Sequence, residues 1–193
     1  MKFVLILFCV LPISTFAVGQ GFDMKWYSES TADGITIQNS FPKGGPYTGE
    51  AANKFNCSYL VFFSRFFNGT DEPIALSLHF SADSIAIPNS PNNYVKLLLP
   101  ADTMTLAKQK LSSYGITELG ALDMPTSIKK QLNPNEDCFI YTVALFYQTE
   151  AGEWSQERGG NRAEIVLNGQ SLYYRMPPQV PSLLFGNWIP LAD

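Results

Sequence analysis

Residues 74–80, Ile-Ala-Leu-Ser-Leu-His-Phe, alternate apolar with small or polar side chains without a break. Ile74, Leu76, Leu78 and Phe80 fall on one face, and Ala75, Ser77 and His79 on the other. A period of two marks a half-buried strand, whose apolar face must find a second layer to cover it. The same period runs through 94–99, with Val95, Leu97 and Leu99 on the apolar side. Residues 58–67 and 139–147 are apolar on both faces and read as central strands. Segments 162–167 and 170–176 flank Asn168-Gly169. That pair accepts positive φ at both central positions of a type I′ turn, so it predicts a tight antiparallel hairpin. Asn68-Gly69 is a second turn signal, with a longer connection running over Thr70 to Pro73.

One stretch departs from the strand period. Residues 104–113 carry good helix formers, with Met104, Ala107 and Leu111 recurring at three and four. Asp102 or Thr103 would cap this helix and Gly115 would end it. Residues 123–135 fit helix or strand. Turn formers fill 42–46, 88–93, 133–135 and 159–161. Seven or eight short strands spaced by such turns predict an all-β fold: one antiparallel β-sandwich, Ig-like or jelly-roll-like, with one short helix. The domain is expected over residues 20–176. Beyond it, Pro177, Pro178, Pro181 and Pro190 argue against regular structure over 177–193. Val180, Leu183, Leu184, Phe185, Trp188 and Ile189 are too apolar for a solvated tail. The tail is expected to lie extended on the sandwich with Trp188 buried; the alternative is a partner-binding segment.

The amino terminus addresses compartment. Lys2 precedes an unbroken apolar run over 3–11, then Pro12, Ser14 and Thr15, then the small residues Ala17 and Gly19. This is the order of a secretory leader over residues 1–19, cut after 17 or 19, and the run is too short to persist as a membrane helix. The mature chain of about 175 residues is then secreted, periplasmic or at the cell surface, with no transmembrane segment. Loss of Lys2 leaves 12 Lys and Arg against 17 Asp and Glu. That balance, without a basic cluster, argues against nucleic acid as a partner. Cys9 leaves with the leader, and Cys57 and Cys138 remain. An oxidising compartment permits a disulfide between them, since each stands near the start of a core strand; the alternative is two buried thiols.

No catalytic pattern stands out. His79 is the one histidine, and its neighbour Ser77 shares its face without a nucleophile elbow. Zinc lacks ligands, and Asp33-Gly34, Asp71-Glu72 and Glu136-Asp137 lack the spacing of a calcium loop. No phosphate-binding glycine motif is present, so no cofactor is expected. Carboxylate pairs such as Glu150 with Glu153, or Glu157 with Glu164, lie in or beside an expected loop, where acidic residues are ordinarily just solvated. Aromatics are the one surplus: Trp26, Tyr27, Tyr47, Trp154, Tyr173, Tyr174 and Trp188 fall in or beside loops and edges. Of these, Trp26, Tyr47, Trp154, Tyr173 and Trp188 are the candidates for stacking on a ligand; the alternative is that they cover sheet ends. Asn56-Cys57-Ser58 and Asn68-Gly69-Thr70 match the N-glycosylation pattern, which matters only in a eukaryotic secretory pathway.

The runs from Phe62 to Pro100, from Asn133 to Gln148 and from Arg162 to Met176 resemble secreted proteins of Bacteroidota that have no assigned function. The resemblance covers some 60% of the chain and implies a periplasmic or outer-surface β-rich protein. It carries over no catalytic residues. The stretch after Met176 is too short for the C-terminal sorting domain of gliding-type secretion in that group, so none is expected. Together these readings predict a secreted, non-enzymatic binding or envelope-accessory protein with a protein or glycan partner. The alternative is a carbohydrate-binding module using the loop aromatics. A third reading is a hydrolase whose carboxylates the sequence does not single out.

Overall fold

The computed structural model describes residues 24–48, 56–116, 126–149 and 162–191. The leader segment and Trp154 lie outside the described residues. Two antiparallel sheets pack face to face. The first has seven strands: β1 (Ser28–Ala32), β2 (Ile35–Asn39), β3 (Lys43–Pro46), β4 (Asn56–Asn68), β6 (Ile85–Ala86), β7 (Asn93–Leu98) and β9 (Asp137–Gln148). Their order is β1-β2-β4-β9-β7-β6, with β3 also paired to β4. The second has five: β5 (Ile74–His79), β8 (Ser127–Leu132), β10 (Glu164–Asn168), β11 (Ser171–Met176) and β12 (Val180–Pro190), in the order β10-β11-β12-β5-β8. This is the expected all-β sandwich.

The core between the sheets comes from the alternating positions. Ile74, Leu76, Leu78 and Phe80 meet Phe62, Leu97, Ile140 and Phe146 of the facing sheet, and Ala75, Ser77 and His79 look outward. The two-sided apolar strands also have a reason. β4 and β9 pair over twelve positions, from Asn56↔Gln148 to Phe67↔Asp137, at the centre of their sheet. On their outer face Val61, Phe63, Tyr141 and Val143 are buried beneath Met104, Tyr114 and Ile116. The chain over 104–116 therefore acts as a strap. The Lys43 ammonium donates to the carbonyls of Gln109 (2.7 Å) and Leu111 (2.8 Å), and the Tyr141 hydroxyl donates to the Tyr114 carbonyl (2.8 Å).

That strap corrects the helix expectation. It forms one 3₁₀ turn, Leu106–Lys110, and a tight turn, Ser112–Gly115, in which Ser113 and Tyr114 both have φ of 52°. The expected caps are engaged elsewhere: Asp102 pairs with Lys108 (3.5 Å), and the Thr103 carbonyl accepts from the same ammonium (2.9 Å). Leu106–Lys110 buries no residue, so no apolar face rewards a longer helix. Gly115, at φ of 67°, does end the segment.

The carboxy-terminal expectation is half right. Trp188 is buried, at 4% exposure, with Phe185 and Val180. The segment is not an extended cover, however, but β12, hydrogen-bonded between β11 and β5. Its prolines sit where they are tolerated: Pro177 and Pro178 in the turn, Pro181 beside a register shift, Pro190 at the strand's end. Two register shifts against β11 place buried residues at spacings of five and three (Val180, Phe185, Trp188), which period two forbids in an unbulged strand.

The hairpin of β10 and β11 forms, with its turn moved by one residue. Asn168 pairs with Ser171, so Gly169 and Gln170 are the central residues. Gly169 has φ of 55° and Gln170 does not share its positive φ, a II′-like pattern in place of I′. The turn at Asn68-Gly69 is the longer connection expected, leading from β4 across to β5 in the other sheet. The 42–46 stretch, expected as a connection, contributes β3, with Lys43↔Val61 and Pro46↔Ser58. The ambiguous 123–135 stretch contributes β8.

Candidate functional site

Among the described residues, the aromatics picked from the sequence do not share a surface. Trp26 is half-buried with its ring edge-on to Phe63 at 5.9 Å. Tyr47 is buried with Cys57 and Leu145 on the outer face of the seven-stranded sheet. Trp188 lies inside the sandwich and donates from its indole nitrogen to the Gly169 carbonyl at 3.3 Å. Tyr174 is buried, stacks on Phe62 at 6.2 Å, and is held in its neutral phenol form by burial. Tyr173 alone looks out from the five-stranded sheet, between Val166 and Leu184. Tyr94 and Tyr147, which the sequence did not suggest, stack cross-strand at 5.5 Å and 19°. In that geometry each ring covers a face of the other, which leaves less area for a flat ligand than two coplanar rings would.

The disulfide expectation fails for a geometric reason. Cys57 and Cys138 do stand near the starts of neighbouring strands, but the strands are antiparallel. Cys57 is level with Tyr147, and Cys138 with Phe66. Nine positions separate them along the ladder, about 30 Å at ~3.4 Å per residue. Both are free thiols. Burial pushes the Cys138 thiol up to about 12, so it is not a thiolate nucleophile at neutral pH. His79 is exposed at the end of β5. Glu164 faces Arg175 at 3.9 Å. Among the described residues no group of three His, Cys, Asp or Glu could hold a metal.

The distinctive region is a sheet edge. On one side the two sheets are stitched together. Asn39, fully buried at the end of β2, donates to the Ile165 carbonyl (2.9 Å) and accepts from the Ile165 amide (3.0 Å). Ser30 accepts from the Leu167 amide (3.0 Å). Side chains of the first sheet thus occupy the backbone groups that edge strand β10 would otherwise present.

The opposite side is open among the described residues. There β8 is the edge, paired only to β5 among the described residues. Phe80 donates to the Thr126 carbonyl at 2.7 Å, opposite it in the same register. Pairs alternate between bonded and non-bonded, so Thr126, Ile128, Lys130 and Leu132 bond to β5. Ser127, Lys129 and Gln131 turn their N–H and C=O groups outward. A depression flanks β8 on each face. One, of about 410 Å³, lies between β8, the start of β9 and residues 100–103; the other, of about 390 Å³, crosses β12, β5 and β8 on the outer face. Lys129 and Lys130 line both.

The charges around this edge are uneven. Asp137 is held by Arg65 at 2.6 Å and Asp102 by Lys108 at 3.5 Å. Lys129 and Lys130 are exposed and have no carboxylate within ion-pair distance among the described residues. Lys129 sits level with Ser77 on the outer face, and Lys130 level with Leu76 on the face toward Cys138. The arrangement offers backbone donors and acceptors, two cations and room for side chains on both faces. Comparison with protein-family models, with curated proteins and with solved structures finds no match.

Proposed function

We propose that this protein works outside the cytoplasm as a non-enzymatic binding or envelope-accessory protein, and that it engages its partner at the open side of the sandwich. One observation carries the reading: the fold caps the β10 edge with Asn39 and Ser30, while among the described residues the β8 edge is uncapped and flanked by two depressions. An edge strand is a liability that sandwiches ordinarily blunt, and here one of the two edges of the smaller sheet is blunted. The amino-terminal leader pattern supports the compartment. A carbohydrate-binding role draws less support, because among the described residues the candidate aromatics are distributed over the core and both sheets.

The test is site-specific photo-crosslinking in the producing cell. A photoreactive residue at Gln131, beside the open edge, is expected to give a discrete adduct, and one at Glu29, on edge strand β1, is not. Equal labelling at both positions, or none at either, counts against a binding role at this side. Specific retention on a glycan array would favour the carbohydrate alternative.

A further inference from the structure

Resting on that reading, the geometry points to the class of ligand: we propose that β8 accepts an extended acidic segment of a partner protein as an added strand. Strand addition draws affinity from main-chain hydrogen bonds and specificity from pockets that take alternate side chains. Both elements are on this edge. Ser127, Lys129 and Gln131 present the main-chain groups, and the two depressions lie on opposite faces of the strand. Alternate side chains of an added strand would point to the depression between the sheets, and the others would lie beside Lys129 and Gln131 on the outer face.

Charge sets the sign of the partner. Lys129 and Lys130 are adjacent, so their side chains leave on opposite faces, and neither has a carboxylate partner among the described residues. Two consecutive Asp or Glu residues in the added strand would meet one lysine on each face. Lysines on an edge repel other basic strands, and a second copy of β8 laid antiparallel would bring four ammonium groups to one seam. The same residues that disfavour self-pairing therefore favour an acidic strand. Nearby Asp102 and Asp137 are paired with Lys108 and Arg65, and Glu136, which also acts on Cys138, offsets one lysine, so the edge keeps a net positive charge.

The experiment uses labelled peptides and fluorescence anisotropy on the full chain. The acidic probe is Thr-Val-Asp-Glu-Val-Thr; the controls are Thr-Val-Lys-Lys-Val-Thr and the acidic probe N-methylated on the residues that would face β8. The acidic probe is expected to bind at least about tenfold more tightly than either control. The double variant Lys129→Glu/Lys130→Glu, whose side chains are exposed, is expected to reverse the order of the acidic and basic probes. Amide exchange at Ser127, Lys129 and Gln131 is expected to slow when the acidic probe is added. Equal binding of the N-methylated probe reduces the effect to charge alone and overturns strand addition. No acidic preference, or a preference that survives the double variant, overturns the charge assignment. If the peptides fail while crosslinking still captures a partner through another face, a binding role stands and the edge assignment falls.

Discussion

Replacing Asn39 tests how the two sheets are joined. Its amide makes four hydrogen bonds: it donates to the Ile165 carbonyl and the Ser28 hydroxyl, and accepts from the Ile165 amide and the Ser64 hydroxyl. Asn39→Ala leaves the Ile165 N–H, the Ile165 C=O and the buried Ser64 hydroxyl without these partners. At roughly 1 kcal/mol per lost bond, and more where a group stays dry, the cost is about 3–5 kcal/mol. For a chain of this size each kcal/mol moves Tm by roughly 2–4 °C, so a fall of about 6–20 °C is expected. Urea titration should show the loss in the midpoint with little change in slope. Asn39→Asp sharpens the test. Ionised, it sets a desolvated carboxylate against the Ile165 carbonyl; protonated, its O–H can donate there. That variant should therefore lose more stability relative to the parent at pH 8 than at pH 4. A cost below about 1 kcal/mol for Asn39→Ala, with unchanged exchange at the Ile165 amide, would refute the claim that this residue seals the seam.

The same structure sets four further outcomes. Gly169→Val should cost about 1–2 kcal/mol by thermal melting, all of it conformational, because a Cβ there meets nothing within 4 Å while φ is 55°; no loss would misplace the turn. Gly186→Ala drives a Cβ into the Ser77 carbonyl where β12 meets β5, and should cost about 1–3 kcal/mol or more, read as a lower urea midpoint. Trp188→Ala should cost about 3–5 kcal/mol, and deletion of 180–193 should abolish cooperative unfolding, because β12 is interior to its sheet; a stable truncated protein would contradict the topology. Alkaline pH should destabilise the fold: burial raises Cys138 and Tyr141 to about 12 from 9.0 and 10.0, so the stability is whole below pH 9 and is lost as pH rises toward 12. Cys138→Ala with Tyr141→Phe should make that limb of a pH–Tm profile shallower, and buried Tyr174 should keep the remainder.

The parts of this fold legible in the sequence are those set by near neighbours. The alternation over 74–80 survives because β5 is regular and half-buried. The hairpin after β10 survives because glycine marks its turn. Asp33-Gly34, which reads as an acidic spot, is another hairpin: φ is 49° and 81°, and Ala32 pairs with Ile35. Its turn signal is present in the sequence, but β1 is polar and the alternation of β2 spans only Ile35 and Ile37. β12 is illegible for a different reason, since its bulges scramble the period and its prolines read as breakers. The disulfide fails because strand starts are local features while antiparallel direction is not. The β8 edge is the least accessible of all. Whether a strand lies at the rim of a sheet is a property of the whole topology, and Ile128-Lys129-Lys130-Gln131-Leu132 looks the same to local pattern at the rim or within.

The position of β12 also sets a timetable. The five-stranded sheet needs β5, from residue 74, to sit against a strand that ends at residue 190. Until that last stretch has emerged from the ribosome, β5 and β11 have no strand between them and the core has one wall. More than a hundred residues of intervening chain must be made first, so half of the sandwich cannot close before residue 190 has been made. The apolar face of β5 lacks that neighbour for the whole interval, so the sheet is completed by a contact between distant parts of the chain. A stop codon anywhere before residue 180 would release a product lacking the middle of a sheet, and quality control would meet it as an unfinished protein rather than a shortened one.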